Sequence, residues 1–289
     1  MDTPPLTAAT LPRRTFAERF TTGWPARIGL AIVLLAILIA CGADFLAPYG
    51  PNVASEEAAA LPSYRHWLGT DLLGKDILAR LCYGSRLSLI CGTLSISMAV
   101  FLGVPLGAVA GYFSGKIDAL IMRSIDVALA FPSVLIALLV SVAMPPGWLR
   151  VIIAVGLINL PTVARQCRAT VLTVRNLDYV LASRALGASR LRTLWREILP
   201  SLTGPVVTLA TLGIGTAVLE VAALSFLGLG GDPSEPEWGG MLSQAKNYWS
   251  KNPWAAVGPG LAISITVLGF NLVGDALRDA LDPRSGQAN

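Results

Sequence analysis

RQCRATVLTVRNLDYVLASRALGASRLRTLWREILP, residues 165–200, carries seven arginines and no lysine, opposed only by Asp178 and Glu197. It lies between two uncharged runs, 151–164 and 198–219. Apolar runs flanking a cationic connection are the signature of membrane helices whose loop is retained on the cytoplasmic side during insertion. Within the stretch Leu191, Leu194, Trp195 and Ile198 recur at i, i+3, i+4 and i+7, with Arg192 and Arg196 beside them, so a helix with one apolar stripe is expected. Gly187 before it and Pro200 near its end predict a helix, a glycine turn and a second helix feeding the next span. On pattern alone the stripe suits a partner protein or the lipid headgroups equally.

The rest of the 289-residue chain reads the same way: 54% of it is hydrophobic and only 14% charged, about half the charge of an ordinary soluble domain. A hydrocarbon layer of about 30 Å needs roughly 20 helical residues. Charge-free gaps that approach or exceed this fall at 28–43 (to 46 with Asp44 at the interface), 87–115, 127–149, 151–164, 198–219 and 252–274. The fourth, of 14 residues, must borrow from its flanks. The expectation is an all-α membrane protein of about six transmembrane helices. Its parts are a tail at 1–27, a first span at 28–46, an outer segment with an interfacial helix at 47–86, a five-span core at 87–276 containing the loop at about 165–200, and a tail at 277–289. With the N-terminus inside, fifteen of the 22 Lys and Arg lie on inner connections and seven on outer ones, which puts both termini in the cytoplasm.

The basic balance therefore reads as topology, and no aromatic-basic stripe suggests nucleic acid. Arg13-Arg14 followed by an apolar run ending at Cys41 mimics a lipoprotein signal, but five further spans follow, so an uncleaved helix is expected. Cys41, Cys82, Cys91 and Cys167 form no CxxC pair and read as small buried side chains. No GxxxxGK[ST] phosphate loop occurs, GYFSGKID (111–118) having the wrong spacing, and Gly111 and Gly115 read as a loop turn. His66, the sole histidine, builds neither a metal site nor a triad, so neither catalytic nor metal residues are expected.

Four carboxylates stand out. Glu220 ends the fifth uncharged run, either lining a pathway or gate or sitting in water at a helix end. Asp71 and Asp76, near Gly69 and Gly74, either contact a substrate-delivering protein or cap and turn the following helix. Asp126, three residues after Arg123, reads as a local ion pair.

LASRALGASRLRTLWREILP (181–200) resembles the EAA loop of binding-protein-dependent ABC importer permeases, matching it at Ala182, Ser183, Gly187 and Pro200, with Leu181 where that family usually has glutamate. HWLGTDLLGKDILARLCYGSRLSL (66–89), EVAALSFLGLG (220–230), PEWGGML (236–242) and NLVGDALRDALDPR (271–284) are similar to the dipeptide, oligopeptide and nickel branch, from about Tyr64 onward. The resemblance implies the type I importer permease fold and a loop that docks on an ATPase. Leu191, Leu194 and Trp195 would bury there while Arg184, Arg190 and Arg192 orient them. It also implies a homologous second permease subunit, two ATP-binding subunits carrying ATP and Mg²⁺, an extracytoplasmic substrate-binding protein, and the bacterial inner membrane. A gradient-driven secondary transporter or channel is the alternative, but ionisable groups at the centre of several spans and repeated halves are lacking.

Overall fold

The computed structural model describes residue 20 and residues 23–281; Arg13, Arg14, Arg19 and the end of the C-terminal tail lie outside the described residues. The described chain is almost wholly helical. Helix α1 spans Trp24–Cys41 and is followed by the short α2, Ala43–Leu46. Then come α3 (Ile77–Phe113), α4 (Gly115–Ala130), α5 (Ser133–Ala143) and α6 (Trp148–Val174). The cationic stretch forms α7 (Asp178–Ala185) and α8 (Arg190–Thr193), which continues through a π-helical turn, Leu194–Ile198, and a last turn, Leu199–Ser201. Helices α9 (Thr203–Phe226), α10 (Trp238–Ala245) and α11 (Trp254–Leu281) complete the chain.

Five of these helices, α1, α3, α6, α9 and α11, are long and apolar enough to cross a membrane, and the bent pair α4–α5 makes a sixth if counted as one span. The 14-residue gap gains its length from its flanks, since α6 runs through Arg150 at one end and Arg165, Gln166 and Arg168 at the other. The third gap behaves differently from expectation. Its helix breaks at Phe131–Pro132, where the axis turns by 94°. Phe131 is extended (φ −85°, ψ 134°), the conformation a following proline enforces, and α5 then runs for only 11 residues.

The expected interfacial helix before the second span is continuous with it: α3 is one helix of 37 residues, about 55 Å long, capped at its start by Asp76. No helix breaker other than Pro105 interrupts it. Its pairing with α6 is the most extensive among the described helices, and Gly103, Gly107 and Gly111 explain why. This is a small-residue stripe with a four-residue period, which lets two membrane helices approach backbone to backbone. A Cβ on Gly103 would lie 2.9 Å from Val163 Cγ1, one on Gly111 2.9 Å from the Arg168 carbonyl oxygen, and one on Gly107 would meet the Ala164 carbonyl oxygen. Gly111 is thus a packing residue inside α3, while Gly115 (φ +62°) makes the turn into α4. Gly107→Leu is expected to destabilise the protein by about 3 kcal/mol; a thermal-unfolding midpoint in detergent equal to that of the unsubstituted protein would contradict this packing.

Residues 47–76 fold back over the ends of α10 and α11 without a helix of their own. Ser55 N–H donates to the Gly74 carbonyl (2.8 Å), and buried Asn252 donates to the carbonyls of Ala60 (2.9 Å) and Leu68 (3.1 Å). Asp71 and Asp76 lie inside this strap, 4% and 2% exposed. Asp76 accepts from Ala79 N–H (2.7 Å) and meets His66 Nδ1 (2.8 Å); Asp71 accepts from Leu73 and Lys75 N–H and faces Arg80 at 3.7 Å. Both carboxylates are occupied in holding the loop to α3. Neither is presented on the surface for another protein to touch. The four cysteines are free, and Cys41, unlike the other three, is exposed on α1.

Candidate functional site: a coupling hairpin and a central groove

The cationic stretch leaves the bundle as a hairpin whose turn is built by Gly187. Its φ is +88°, a left-handed conformation, and a Cβ there would meet nothing, so conformation and not space demands glycine. Ala188 N–H donates to the Ser183 carbonyl (3.1 Å) and Gly187 N–H to the Arg184 carbonyl (3.0 Å), the paired bonds of a Schellman motif closing α7. Ser189 then caps α8, its Oγ accepting from Arg192 N–H at 3.4 Å. Tyr179 and Ser201 join the two arms at 2.8 Å.

The apolar stripe divides. Leu191 and Trp195 are 61% and 69% exposed, and Leu186 and Leu181 are exposed beside them. Leu194 points the other way: with Val180, Ile198 and Leu202 it packs against Tyr112, Cys167 and Val171 of the bundle. The π-helical turn explains the split, because its wider winding takes Leu194 and Ile198 inward and leaves Trp195 outward. Pro200, which cannot donate to the Arg196 carbonyl, loosens the helical ladder at that place. Leu194 is therefore a root of the hairpin and not part of its outer face, a correction to the single stripe read from the spacing. Ala182 and Arg184, on α7, and Arg190 and Arg192, on α8, are exposed, and Ser183 is half-buried.

Three further arginines of the stretch are engaged within the chain, while Arg196 is exposed beside Trp195. Arg168 holds Asp118 through two bonds (2.5 and 2.6 Å), and Arg175 donates to the Gly111 carbonyl (2.8 Å) and to Ser114. Arg165 pairs with Asp126 at 2.6 Å, so the partner of Asp126 is Arg165 on α6 and not Arg123 on its own helix. These bonds tie α4 to α6 just before the 94° break.

Beside the break lies a groove of about 910 Å³ between α4, α5, α6, α9 and the end of α11. Its wall is largely apolar, interrupted by Asn159, Thr162, Gln166, Thr208, Thr216, Glu220 and Arg278. Glu220 stands six residues before the end of α9, about 9 Å from it, and accepts a hydrogen bond from Asn159 Nδ2 at 2.5 Å. Asn159 was not singled out by the sequence reading, although a lone amide amid fourteen uncharged residues is the signal for it. Glu237 was also missed. Buried at the N-terminus of α10, it accepts from the N–H groups of Gly239 and Gly240 (2.9 Å each) and from Ser88 Oγ (3.2 Å), locking the α9–α10 connection to α3.

A bundle of membrane-length helices that opens a groove between them and projects a basic hairpin with exposed apolar side chains is, as a class, a transport subunit worked from outside its own chain. Comparison with known proteins assigns the family. Residues 103–287 match the family model for the binding-protein-dependent transport system inner membrane component, and the chain belongs to that family. It is 42% identical over 261 residues to the dipeptide transport system permease protein DppC of Alkalihalophilus pseudofirmus, covering 90% of this chain and 86% of the relative. It is 41% identical over 275 residues to the glutathione transport system permease protein GsiD of Pectobacterium atrosepticum, covering 94% and 91%. Among solved structures, the MetNI methionine ABC transporter in inward-facing conformations superposes with a TM-score of 0.61 over 71% of this chain and 98% of the other, at 19% identity, which speaks for the fold. The protein is the multi-pass permease subunit of an ATP-driven ABC importer, of the type I permease fold, and is not an enzyme. ATP is hydrolysed by separate subunits, and the gradient-driven alternative is not favoured.

Proposed function

We propose that this chain forms half of a translocation pathway for peptides in the bacterial inner membrane, with both termini cytoplasmic. The other half is a homologous permease subunit; two ATP-binding subunits, carrying ATP and Mg²⁺, work the pair, and an extracytoplasmic substrate-binding protein loads it. The residue bounds read from the sequence for tails, first span, outer segment and core remain the proposed organisation. The observation that carries the reading is the hairpin: Leu191 and Trp195 are exposed while Leu194 and Ile198 root the same short helix in the bundle. A partner that buries the two outer side chains would move the bundle directly. Ala182, Ser183, Arg184, Gly187, Arg190, Arg192 and Pro200 shape or flank that face.

The cargo reading is supported by relatives whose names specify dipeptides, di- and tripeptides and glutathione, each carrying an α-ammonium group. It is also supported by Glu220, the one carboxylate among the described residues lining this largely apolar groove, oriented by Asn159. In this reading Glu220 meets the passing ammonium. Glu220→Gln keeps the size and the bond from Asn159 but removes the charge. Uptake of a dipeptide by the reconstituted importer is expected to fall about tenfold, with insertion unchanged. Undiminished uptake by the variant would remove Glu220 from the pathway.

A further inference from the structure

At the end of the bundle that carries the hairpin, a second cavity, of about 290 Å³, is lined by Tyr112, Phe113, Ser114, Arg175, Asn176, Arg184 and Arg190. Its wall is polar and holds three guanidinium groups and no carboxylate. Arg184 and Arg190 have no ion-pair partner among the described residues, and the nearby carboxylate of Asp118 is taken by Arg168. Tyr112 is 9% exposed, and its hydroxyl is one of four buried polar side-chain atoms, among the described residues, that lack a hydrogen-bond partner. Arg175 lies within electrostatic reach of Asp118, but Arg184 and Arg190 have no such counter-charge among the described residues, and like charges gathered this way repel one another unless something anionic shares the space. A buried hydroxyl without a partner carries a desolvation cost that an oxyanion can relieve.

We propose that this cavity is a binding site for a phosphate oxyanion, supplied by the headgroup of an anionic phospholipid of the inner leaflet. The donors suit that chemistry. Guanidinium groups bind phosphate oxygens in pairs; the Asn176 amide, which spends one N–H on the Leu172 carbonyl, keeps a second, and the unpartnered Tyr112 hydroxyl adds another neutral donor beside them. Location argues for lipid over a dissolved anion: the cavity sits where α3 and α6 end, at Phe113 and Val174, close to the end of the uncharged run 87–115, and in the cytoplasmic placement proposed above a basic pocket at the ends of membrane helices faces the inner-leaflet headgroups. The bound phosphate would bridge two parts of the chain. Arg175, Tyr112 and Ser114 belong to the bundle, Arg184 to α7 and Arg190 to α8, so the site joins the hairpin to the helices it moves. An occupied site would hold the hairpin stiffly against the bundle and make coupling depend on anionic lipid.

The site requires the cytoplasmic placement proposed above but not the identity of the cargo, so it can fail while peptide uptake stands. The test uses the full chain in nanodiscs, with and without its ATP-binding subunits, and spin-labelled phosphatidylglycerol or phosphatidylcholine as probes. The immobilised fraction of phosphatidylglycerol is expected to exceed that of phosphatidylcholine. It should fall about fivefold for each of Arg184→Gln and Arg190→Gln. Tyr112→Phe, which keeps the packing of the ring, should lower it further without altering the phosphatidylcholine signal. Millimolar inorganic phosphate should leave the lipid signal in place; if phosphate displaces it, a dissolved anion is the occupant and the lipid assignment is overturned. Equal immobilisation of the two lipids, or loss of the phosphatidylglycerol signal when the ATP-binding subunits are added, would overturn the proposal, the second outcome giving the arginines to the partner protein.

Discussion

Trp195→Asp, alone or with Leu191→Asp, is expected to leave the protein inserted and folded yet abolish transport. Both side chains are more than half exposed on a short helix whose inner residues, Leu194 and Ile198, are almost wholly buried, so the fold loses little when the outer pair changes. A buried aromatic anchor at an interface typically carries about 2 kcal/mol or more. Replacing it by a carboxylate adds the cost of desolvating a charge, so affinity for the ATP-binding subunits should drop by about 30-fold at least. The checks are co-purification of those subunits with the variant and ATP-driven uptake in proteoliposomes. Leu194→Asp is the contrasting case: it places a charge in the packing between hairpin and bundle and should lower stability itself. If Trp195→Asp unfolded the chain while Leu194→Asp did not, the assignment of outer and inner faces would be reversed.

Gly187→Pro should be as damaging to transport by a different route. The turn needs φ near +88° and an N–H that donates to the Arg184 carbonyl. Proline supplies neither, since its ring holds φ near −65° and it has no N–H. The Schellman closure of α7 would be lost, and with it the angle at which α8 is presented. Gly187→Asn is the control, because asparagine tolerates the left-handed conformation and keeps its N–H. We expect loss of uptake and of cargo-stimulated ATP hydrolysis with proline, and near-normal values with asparagine. Equal behaviour of the two variants would mean that the turn's conformation is not what matters.

These expectations show which parts of the molecule the sequence made legible. Membrane spans could be measured as gaps between charges, because ionised side chains are expelled from hydrocarbon and the gaps must match its thickness. The glycine turn was readable for the same reason that proline should break it: few residues accept that φ. The direction of Leu194 was not readable, since a period of 3.6 was assumed and the π-helical turn departs from it. The 94° break at Phe131–Pro132 had a local signal, a proline within an apolar run, but prolines are also common inside unbroken membrane helices, as Pro105, Pro161 and Pro259 are here.

The candidate site was legible in part. Glu220 could be marked as a carboxylate near membrane depth, but its alignment by Asn159 joins positions 61 residues apart and depends on how α6 meets α9. That meeting is set elsewhere, by glycines packing α3 against α6 and by Gly92 against Val218. Likewise the sequence reads the arginines of the stretch together, as the charge that holds the loop in the cytoplasm. Pairing with Asp126 and Asp118, and with the backbone at Gly111, engages Arg165, Arg168 and Arg175 within the bundle and leaves Arg184, Arg190, Arg192 and Arg196 as the exposed cations of the hairpin. Distant acidic partners of this kind are invisible to any local pattern.

The central claim is that the hairpin at 178–201 lies in the cytoplasm and is gripped by an ATP-binding subunit. A photoreactive residue placed at position 195 of the full importer, irradiated in native membranes, tests it most directly. The account predicts a covalent adduct with the ATP-binding subunit whose yield changes when ATP is added. An adduct with lipid alone, or with the substrate-binding protein on the opposite face, would contradict it.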